Sequence, residues 1–351
     1  MKTDYKTVKV EVKGDVAVLA LNNPPVNQLS AHFVQEMADA LLQAGSDKAI
    51  KAVILTGTGK NFIAGADITE IQTVKDKNFL LPRVMENHRF INSIEDAPKP
   101  VIAAINGNCL GGGLEIAMAC HYRVAAQGVQ IGQPEVQIGL IPGAGGTQRL
   151  PRLIGFTDAL QMITTGNPIS AEEGLKKGAL DEVIPANQLL DQALKVARRF
   201  ISGELNHKAR LTRNKKDKLP KPEEKEGIVA FAKGMAAKQA KGYIAPFKAI
   251  EAMERGLTDN FEADLKIEAG LFADCAVSDV AKNLIGIFLN TRAAGRLPRI
   301  EKIEPKKIKK VGMLGGGVMG SGIVNLLLNN GFDARSPLTS PKPVRSPAPL
   351  P

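Results

Sequence analysis

The chain has 351 residues, 44% of them hydrophobic and 23% charged, with a formal net charge of +10. Such a composition is that of a soluble globular protein with room for roughly two domains. No stretch approaches the roughly 20 apolar residues of a membrane helix, so a membrane span is not expected, and the positive charge points to an anionic partner, either nucleic acid or a phosphorylated small molecule.

The first residues carry charge without a following apolar core, and the last are not a peroxisomal address. Cys109, Cys120 and Cys275 have neither metal nor disulfide spacing. The expected location is therefore cytoplasmic, with the cysteines reduced. Residues 7–21 alternate in character and break at Lys13-Gly14-Asp15, which predicts a hairpin. After the rigid turn Asn23-Pro24-Pro25-Val26-Asn27, Ser30 can cap a helix with Phe33, Met37, Ala40 and Leu41 on one face. Residues 52–55 read as a buried strand, residues 61–68 (NFIAGADI) as a loop of small residues, and residues 82–95 as an amphipathic helix stopped by Ala97-Pro98-Lys99-Pro100. Strand and helix alternate, so the fold class is α/β.

Residues 100–151 organise the rest. Val101–Ile105 reads as a buried strand, followed by the turn Asn106-Gly107, by Gly111, Gly112 and Gly113, and by a helical pattern over 114–119. A glycine-bare helix start presents backbone N–H groups that can hold an oxygen bearing negative charge. Glu115 lies in the first turn of that helix; Glu135 follows a strand-like segment, and a second glycine cluster spans 143–146. Two carboxylates on separate elements around a bare turn suggest acid–base chemistry on a polarised carbonyl.

Beyond Gly155 the reading is helical: 158–164, 170–177 with Ser170 as cap, 186–201, and then about 226–241, 246–255 and 259–293. Lys208, Arg210, Arg213, Lys215, Lys216, Lys218, Lys221 and Lys225 form a basic stretch with few aromatics, which reads as solvated linker and argues against a nucleic-acid partner. Another strand, 310–314, leads into Gly315, Gly317 and Gly320 and a helical run, the context of a dinucleotide fingerprint. From Ser336 the Ser/Pro-rich sequence reads as disordered. His32, His88, His121 and His207 are scattered without metal-ligand spacing, so no metal site is expected.

Three segments in order, NFIAGADI, AAINGNCLGGGLEIAMAC and IGQPEVQIGLIPGAGGTQRLPRLIG, resemble the enoyl-CoA hydratase/isomerase (crotonase) superfamily. NNPPVNQLS and the helical extension resemble the type 1 multifunctional fatty-acid oxidation enzymes, in which a crotonase domain is fused to a 3-hydroxyacyl-CoA dehydrogenase. The resemblance implies a spiral of strand–strand–helix turns, a helical C-terminal extension and a residual strand–helix stub of a Rossmann domain. It divides the chain into a catalytic core at 1–205, an extension with linking helices at 206–296, a linker at 297–309, a truncated Rossmann βα unit at 310–333 and a disordered tail at 334–351. It implies that the backbone N–H groups of Ala66 and Gly112 form an oxyanion hole, that Glu115 activates water, and that Glu135 exchanges a proton at the α-carbon. Ala64, Gly65, Asp67, Ile68 and Lys60 would line the acyl-CoA, with Asp67 equally suited to capping the next helix.

The implied activity is hydration of 2-enoyl-CoA in fatty-acid β-oxidation, with Δ3–Δ2-enoyl-CoA isomerisation as a second activity and no cofactor required. An RNA-binding relative of the family is the alternative. An intact NAD-dependent dehydrogenase is disfavoured, because the second strand, the ribose-binding acid and the rest of that domain are absent after Gly331, leaving an incomplete NAD site. The chain reads as truncated or frame-shifted there. Oligomeric state stays open: related hydratases are trimer-based, whereas the fused enzymes use a long C-terminal helix in cis, which 259–293 resembles.

Overall fold

The structure, a computed structural model, describes residues 2–240, 242–294 and 306–335. The chain divides into two units, Met1–Thr291 and Arg292–Pro351.

The first unit begins with the expected hairpin, β1 (Val8–Lys13) against β2 (Val16–Leu21), followed by α1 (Ala31–Ser46), whose N–H at Phe33 donates to the Ser30 hydroxyl at 3.3 Å. Next come β3 (Ala52–Gly57), β4 (Asn61–Ala64), α2 (Thr69–Thr73) and α3 (Lys77–Glu95); then β5 (Val101–Ile105), β6 (Asn108–Leu110) and α4 (Gly112–Ala119); then β7 (Tyr122–Ala126) and β8 (Gln130–Gly132). This is a strand–strand–helix cycle. The first strand of each turn enters a six-stranded sheet, β1-β2-β3-β5-β7 plus a later strand, and the second enters a small sheet built on β4-β6-β8. Every neighbour in the large sheet beyond the hairpin is parallel, and β5 is buried along its whole length. Its unbroken apolar run VIAAI follows from that burial on both faces.

The chain continues through α5 (Gly146–Ile154), α6 (Phe156–Thr165), β9 (Ile169–Ser170), α7 (Ala171–Lys177), β10 (Glu182–Ile184) and α8 (Leu189–Ile201). β10, expected only as an extended link, closes the large sheet parallel to β7. The extension comprises α9 (Pro222–Gln239), α10 (Ala245–Arg255), α11 (Phe261–Ala276) and α12 (Asp279–Ala294).

Four expectations are corrected. The single helix over 259–293 is two helices, because Val277 and Ser278 end α11 and the Ser278 hydroxyl accepts the N–H of Ala281 at 3.1 Å to start α12. The helix expected from Pro82 starts at Lys77, capped by Asp76, and carries Pro82 in its interior. The loop expected over 61–68 begins as strand β4, since its Asn61–Ala64 backbone pairs with β6. In the second unit, β11 (Lys310–Gly312) and α13 (Val318–Asn329) are followed by β12 (Asp333–Arg335), which pairs parallel with β11. The second strand is thus present, and the unit is βαβ rather than βα. Its helix buries only Gly320, while Leu314, Val318 and Met319 are exposed. The linker expected at 297–309 and the tail expected at 334–351 lie largely outside the described residues.

Candidate active site

The parallel pairing of β4 with β6 brings Ala64 opposite Leu110. Ala66 and Gly112 each lie two residues past that pair, so they leave one end of two strands spaced about 4.8 Å apart. Leu29 bridges Ala66: its N–H donates to the Gly65 carbonyl at 3.0 Å, and the Asp67 N–H donates to the Leu29 carbonyl at 3.0 Å. In such a parallel bridge the N–H of Ala66 points away from Leu29. Gly112 is the first residue of α4, so its N–H has no acceptor within the helix.

Gly111 turns the chain from β6 into α4 at φ +54°, a conformation in which a side chain is strained. A Cβ there would also sit 2.7 Å from Oε1 of Glu135, and a Cβ on Gly112 would sit 2.7 Å from the Leu29 side chain. The glycines keep bare backbone where both a carboxylate and a neighbouring loop press close.

Glu115, in the first turn of α4, is 3% exposed. Its Oε1 accepts the N–H groups of Ala144 and Gly146, both at 2.8 Å, from the second glycine cluster. Burial, and then the facing carboxylate of Glu268, push its pKa up to about 7 against the pull of those two donors. Glu135 opens a short 3-10 turn, Glu135–Ile138, after β8. Burial and then Glu115 raise its pKa well above the usual range. The amide of Gln133, oriented to donate, reaches both Glu135 oxygens at 3.1 Å. The two acids differ: Glu115 has two backbone donors from the second glycine cluster that favour its anion, whereas Glu135 has the Gln133 amide and its own backbone N–H.

The other expected residues divide. Gly65 packs beside the site, its Cα 3.6 Å from where a Cβ on Gly111 would lie. Ala64 is held by its N–H to the Val26 carbonyl at 3.2 Å. Asp67 is occupied by structure: one oxygen accepts from the Thr69 N–H at 3.1 Å and hydroxyl at 2.6 Å, the other from the Gln28 amide at 3.2 Å, fixing the entry to α2. The N-cap position itself is Ile68, so Asp67 holds the helix entry from one residue earlier. Ile68 is half-buried against the core, and Lys60 is exposed.

In the second unit Gly315 has φ +99°, and a Cβ on Gly320 would lie 1.9 Å from the Gly315 carbonyl oxygen, the close helix–turn packing of a dinucleotide loop. Yet the C-terminal end of β12 carries Arg335, while Asp333 opens the strand and lies 3.7 Å from Arg335. At that end of β12 the described residues therefore place a guanidinium rather than a carboxylate.

Residues not singled out in the sequence also shape the site. Asn27 donates its side-chain amide to the carbonyls of Asn61 and Phe62, both at 3.1 Å, and so pins the start of β4. Glu268 on α11 is fully buried and accepts the N–H groups of Gly145 at 2.6 Å and Thr147 at 2.9 Å. The signal for Glu268 was an acidic residue on the apolar face formed by Leu265, Ala269 and Phe272, where an unpaired charge is costly. The basic stretch is largely spent internally: Arg210 pairs with Asp181, Arg213 with Asp96, and Lys216 with Asp259, while Lys218 donates to the Leu153 and Lys177 carbonyls at 2.6 and 2.7 Å. No group of acidic, histidine and cysteine side chains among the described residues could hold a metal ion. The cysteines are free and buried, and no helix among the described residues is long and apolar enough to cross a membrane.

A ββα spiral with a buried and a half-buried glutamate closing on one glycine turn defines a class. Residues 11–241 match the enoyl-CoA hydratase/isomerase family model, and the chain belongs to that family. It is 39% identical over 336 residues to the peroxisomal fatty acid beta-oxidation multifunctional protein MFP2 of Arabidopsis thaliana, covering 94% of this chain and 46% of that protein. It is 40% identical over 323 residues to the fatty acid oxidation complex subunit alpha of Pseudomonas putida, covering 90% and 44%. The chain therefore spans about half the length of these relatives. The crystal structure of an enoyl-CoA hydratase from Bacillus anthracis is similar at 30% identity and TM-score 0.53, over 82% of this chain and 97% of the other. Human mitochondrial delta3-delta2-enoyl-CoA isomerase shares the fold at TM-score 0.62 and 23% identity, over 83% and 100%.

Proposed function

We propose that this chain hydrates 2-enoyl-CoA thioesters to 3-hydroxyacyl-CoA within fatty-acid β-oxidation. One observation carries the reading: Glu115 and Glu135 close on the Gly111–Gly112 turn, a Cβ on Gly111 lying 2.7 Å from Glu135 and one on Gly112 lying 3.9 Å from Glu115; the reading takes the amides of Gly112 and Ala66 as the two oxyanion donors. The thioester carbonyl oxygen accepts the two amides. As water adds to the β-carbon, negative charge gathers on that oxygen, and each fixed donor lowers the barrier by roughly 3 kcal/mol. Glu115, ionised, removes the proton from the attacking water; Glu135, protonated, delivers one to the α-carbon. Each such positioned transfer contributes about 10²–10⁴-fold. The cycle leaves the proton on Glu115 and the charge on Glu135, and a proton exchange between them restores the start.

Isomerisation of a Δ3 to a Δ2 enoyl thioester is a second activity of the same site. It needs one shuttling carboxylate: with the shared proton on Glu115, ionised Glu135 takes the α-proton to give the dienolate, held by the same amides, and returns that proton to the γ-carbon. The RNA-binding alternative is weakened by the pairing of Arg210 with Asp181 and of Arg213 with Asp96, which offsets part of the charge of the basic stretch. No NAD-dependent step is assigned. The buried free cysteines support a cytoplasmic protein, which fractionation of the native source would test. Incubation with crotonyl-CoA tests the activity: the reading expects a product heavier by one water, and recovery of unchanged thioester alone would refute it.

A further inference from the structure

Four successive N–H groups of the turn between β8 and α5 are claimed alternately by two carboxylates. Ala144 and Gly146 donate to Glu115; Gly145 and Thr147 donate to Glu268. Glu268 also accepts the Thr147 hydroxyl at 2.5 Å and contacts Nε2 of His88, on α3, at 3.1 Å. Those residues come from three separate parts of the chain: His88 lies 180 positions before Glu268, and Thr147 lies 121 before it. The alternation has a geometric cause. Successive N–H groups in a tight turn cannot all aim at one acceptor, so a loop held by Glu115 alone would leave the amides of 145 and 147 buried and unsatisfied, each costing about 1–3 kcal/mol. The ring of Phe272, one turn along α11, lies where a Cβ on Gly143 would meet it at 2.6 Å, so the same helix also covers the start of the loop.

We infer that Glu268 is a positioning residue for the hydration step: the C-terminal extension supplies it to fix the 143–147 turn, and through that turn the place of the Glu115 carboxylate. This rests on the hydratase reading above and adds to it a role for the extension. The groups facing Glu115 are Glu135 across the Gly111–Gly112 turn, His88 from α3 and Glu268 from α11; Arg149, ion-paired with Glu95 at 2.8 Å, faces Gly145 from α5. Loss of the Glu268 charge removes a like charge opposite Glu115. The base then stays ionised to lower pH while its position relaxes.

The test is Glu268→Gln in the full chain, with crotonyl-CoA as substrate. The expected result is a kcat lower by roughly 10–100-fold, the scale of a misplaced catalytic group, with KM within about 2-fold and the acidic limb of the kcat profile moved to lower pH. Thr147→Val, which removes one donor and keeps the charge, is expected to lower kcat several-fold without moving that limb. A Glu268→Gln enzyme with wild-type kcat and an unmoved limb overturns the inference. If that variant does not fold, Thr147→Val decides: wild-type kcat overturns it and a fall in kcat with KM held supports it. A wild-type chain without hydratase activity would instead refute the reading beneath it.

Discussion

Glu115 and Glu135 flank the same two glycines, yet Glu115 is held by two backbone donors from a separate loop, Ala144 and Gly146 at 2.8 Å each, whereas the backbone donor to Glu135 is its own N–H. That asymmetry divides the work between two chemically identical side chains. A carboxylate fed by two N–H groups from a fixed loop is the better resident anion, and one whose outside donor is a single side-chain amide is the better acid.

Both of those N–H groups go to the same oxygen, Oε1. Glu115→Gln therefore keeps them and is expected to fold, while losing about 10²–10⁴-fold of hydratase activity with the general base. Isomerase activity, assayed with a 3-enoyl-CoA, is expected to fall much less. Equal loss of both would contradict the division of labour.

Glu135→Gln removes the acid that exchanges a proton with the α-carbon, so both activities are expected to fall by about 10²-fold or more. Deuterium exchange at the α-carbon of the bound thioester reads this directly. Exchange at the wild-type rate would assign that proton to another group.

The same burial predicts an opposite pH dependence for activity and stability. Hydration is expected to rise through about pH 7 as Glu115 ionises. Because folding raises the pKa of Glu115 from 4.5 to about 7, its stabilising contribution is complete below about 4.5 and is lost as pH climbs through 7. The full shift corresponds to something on the order of 3 kcal/mol. Denaturant unfolding of the wild type and of Glu115→Gln at pH 5 and pH 8 measures it: the variant is expected to gain on the wild type at the higher pH. A pH-independent difference would mean that Glu115 is solvated.

Gly111→Ala places a methyl group at a positive φ and 2.7 Å from Glu135 Oε1. Backbone strain of this kind costs about 1–3 kcal/mol, and the displaced acid is expected to lower kcat by at least tenfold. Thermal unfolding and steady-state kinetics check the two separately; a variant as active as the wild type would show that Glu135 can leave that position without consequence.

Much of this was legible in residue order. The N-terminal hairpin, the Ser30 and Ser170 caps and the buried strand VIAAI follow from local pattern, because turn chemistry and burial act within a few residues. The glycine-bare start of α4 and the two acids beside it were visible for the same reason. α5 was not anticipated: its sequence GTQRLPRLI opens on glycine and contains Pro151, and it stands because Arg149 and Arg152 are buried against Glu95 and Asp264 from distant helices. The second strand of the C-terminal unit was hidden for a similar reason, since β12 is three residues long and exists only through its pairing with β11. For Glu268 the local pattern offers only an acid on an apolar helix face; its partners, 121 and 180 residues away, are not marked by anything near it in the chain.

The most direct test follows the ultraviolet absorbance of the conjugated thioester in crotonyl-CoA with wild type, Glu115→Gln and Glu135→Gln side by side. The account predicts rapid loss of absorbance with the wild type and near-baseline rates with both variants, all three chains being folded. Undiminished hydration by either variant, or an inert wild type, would contradict it.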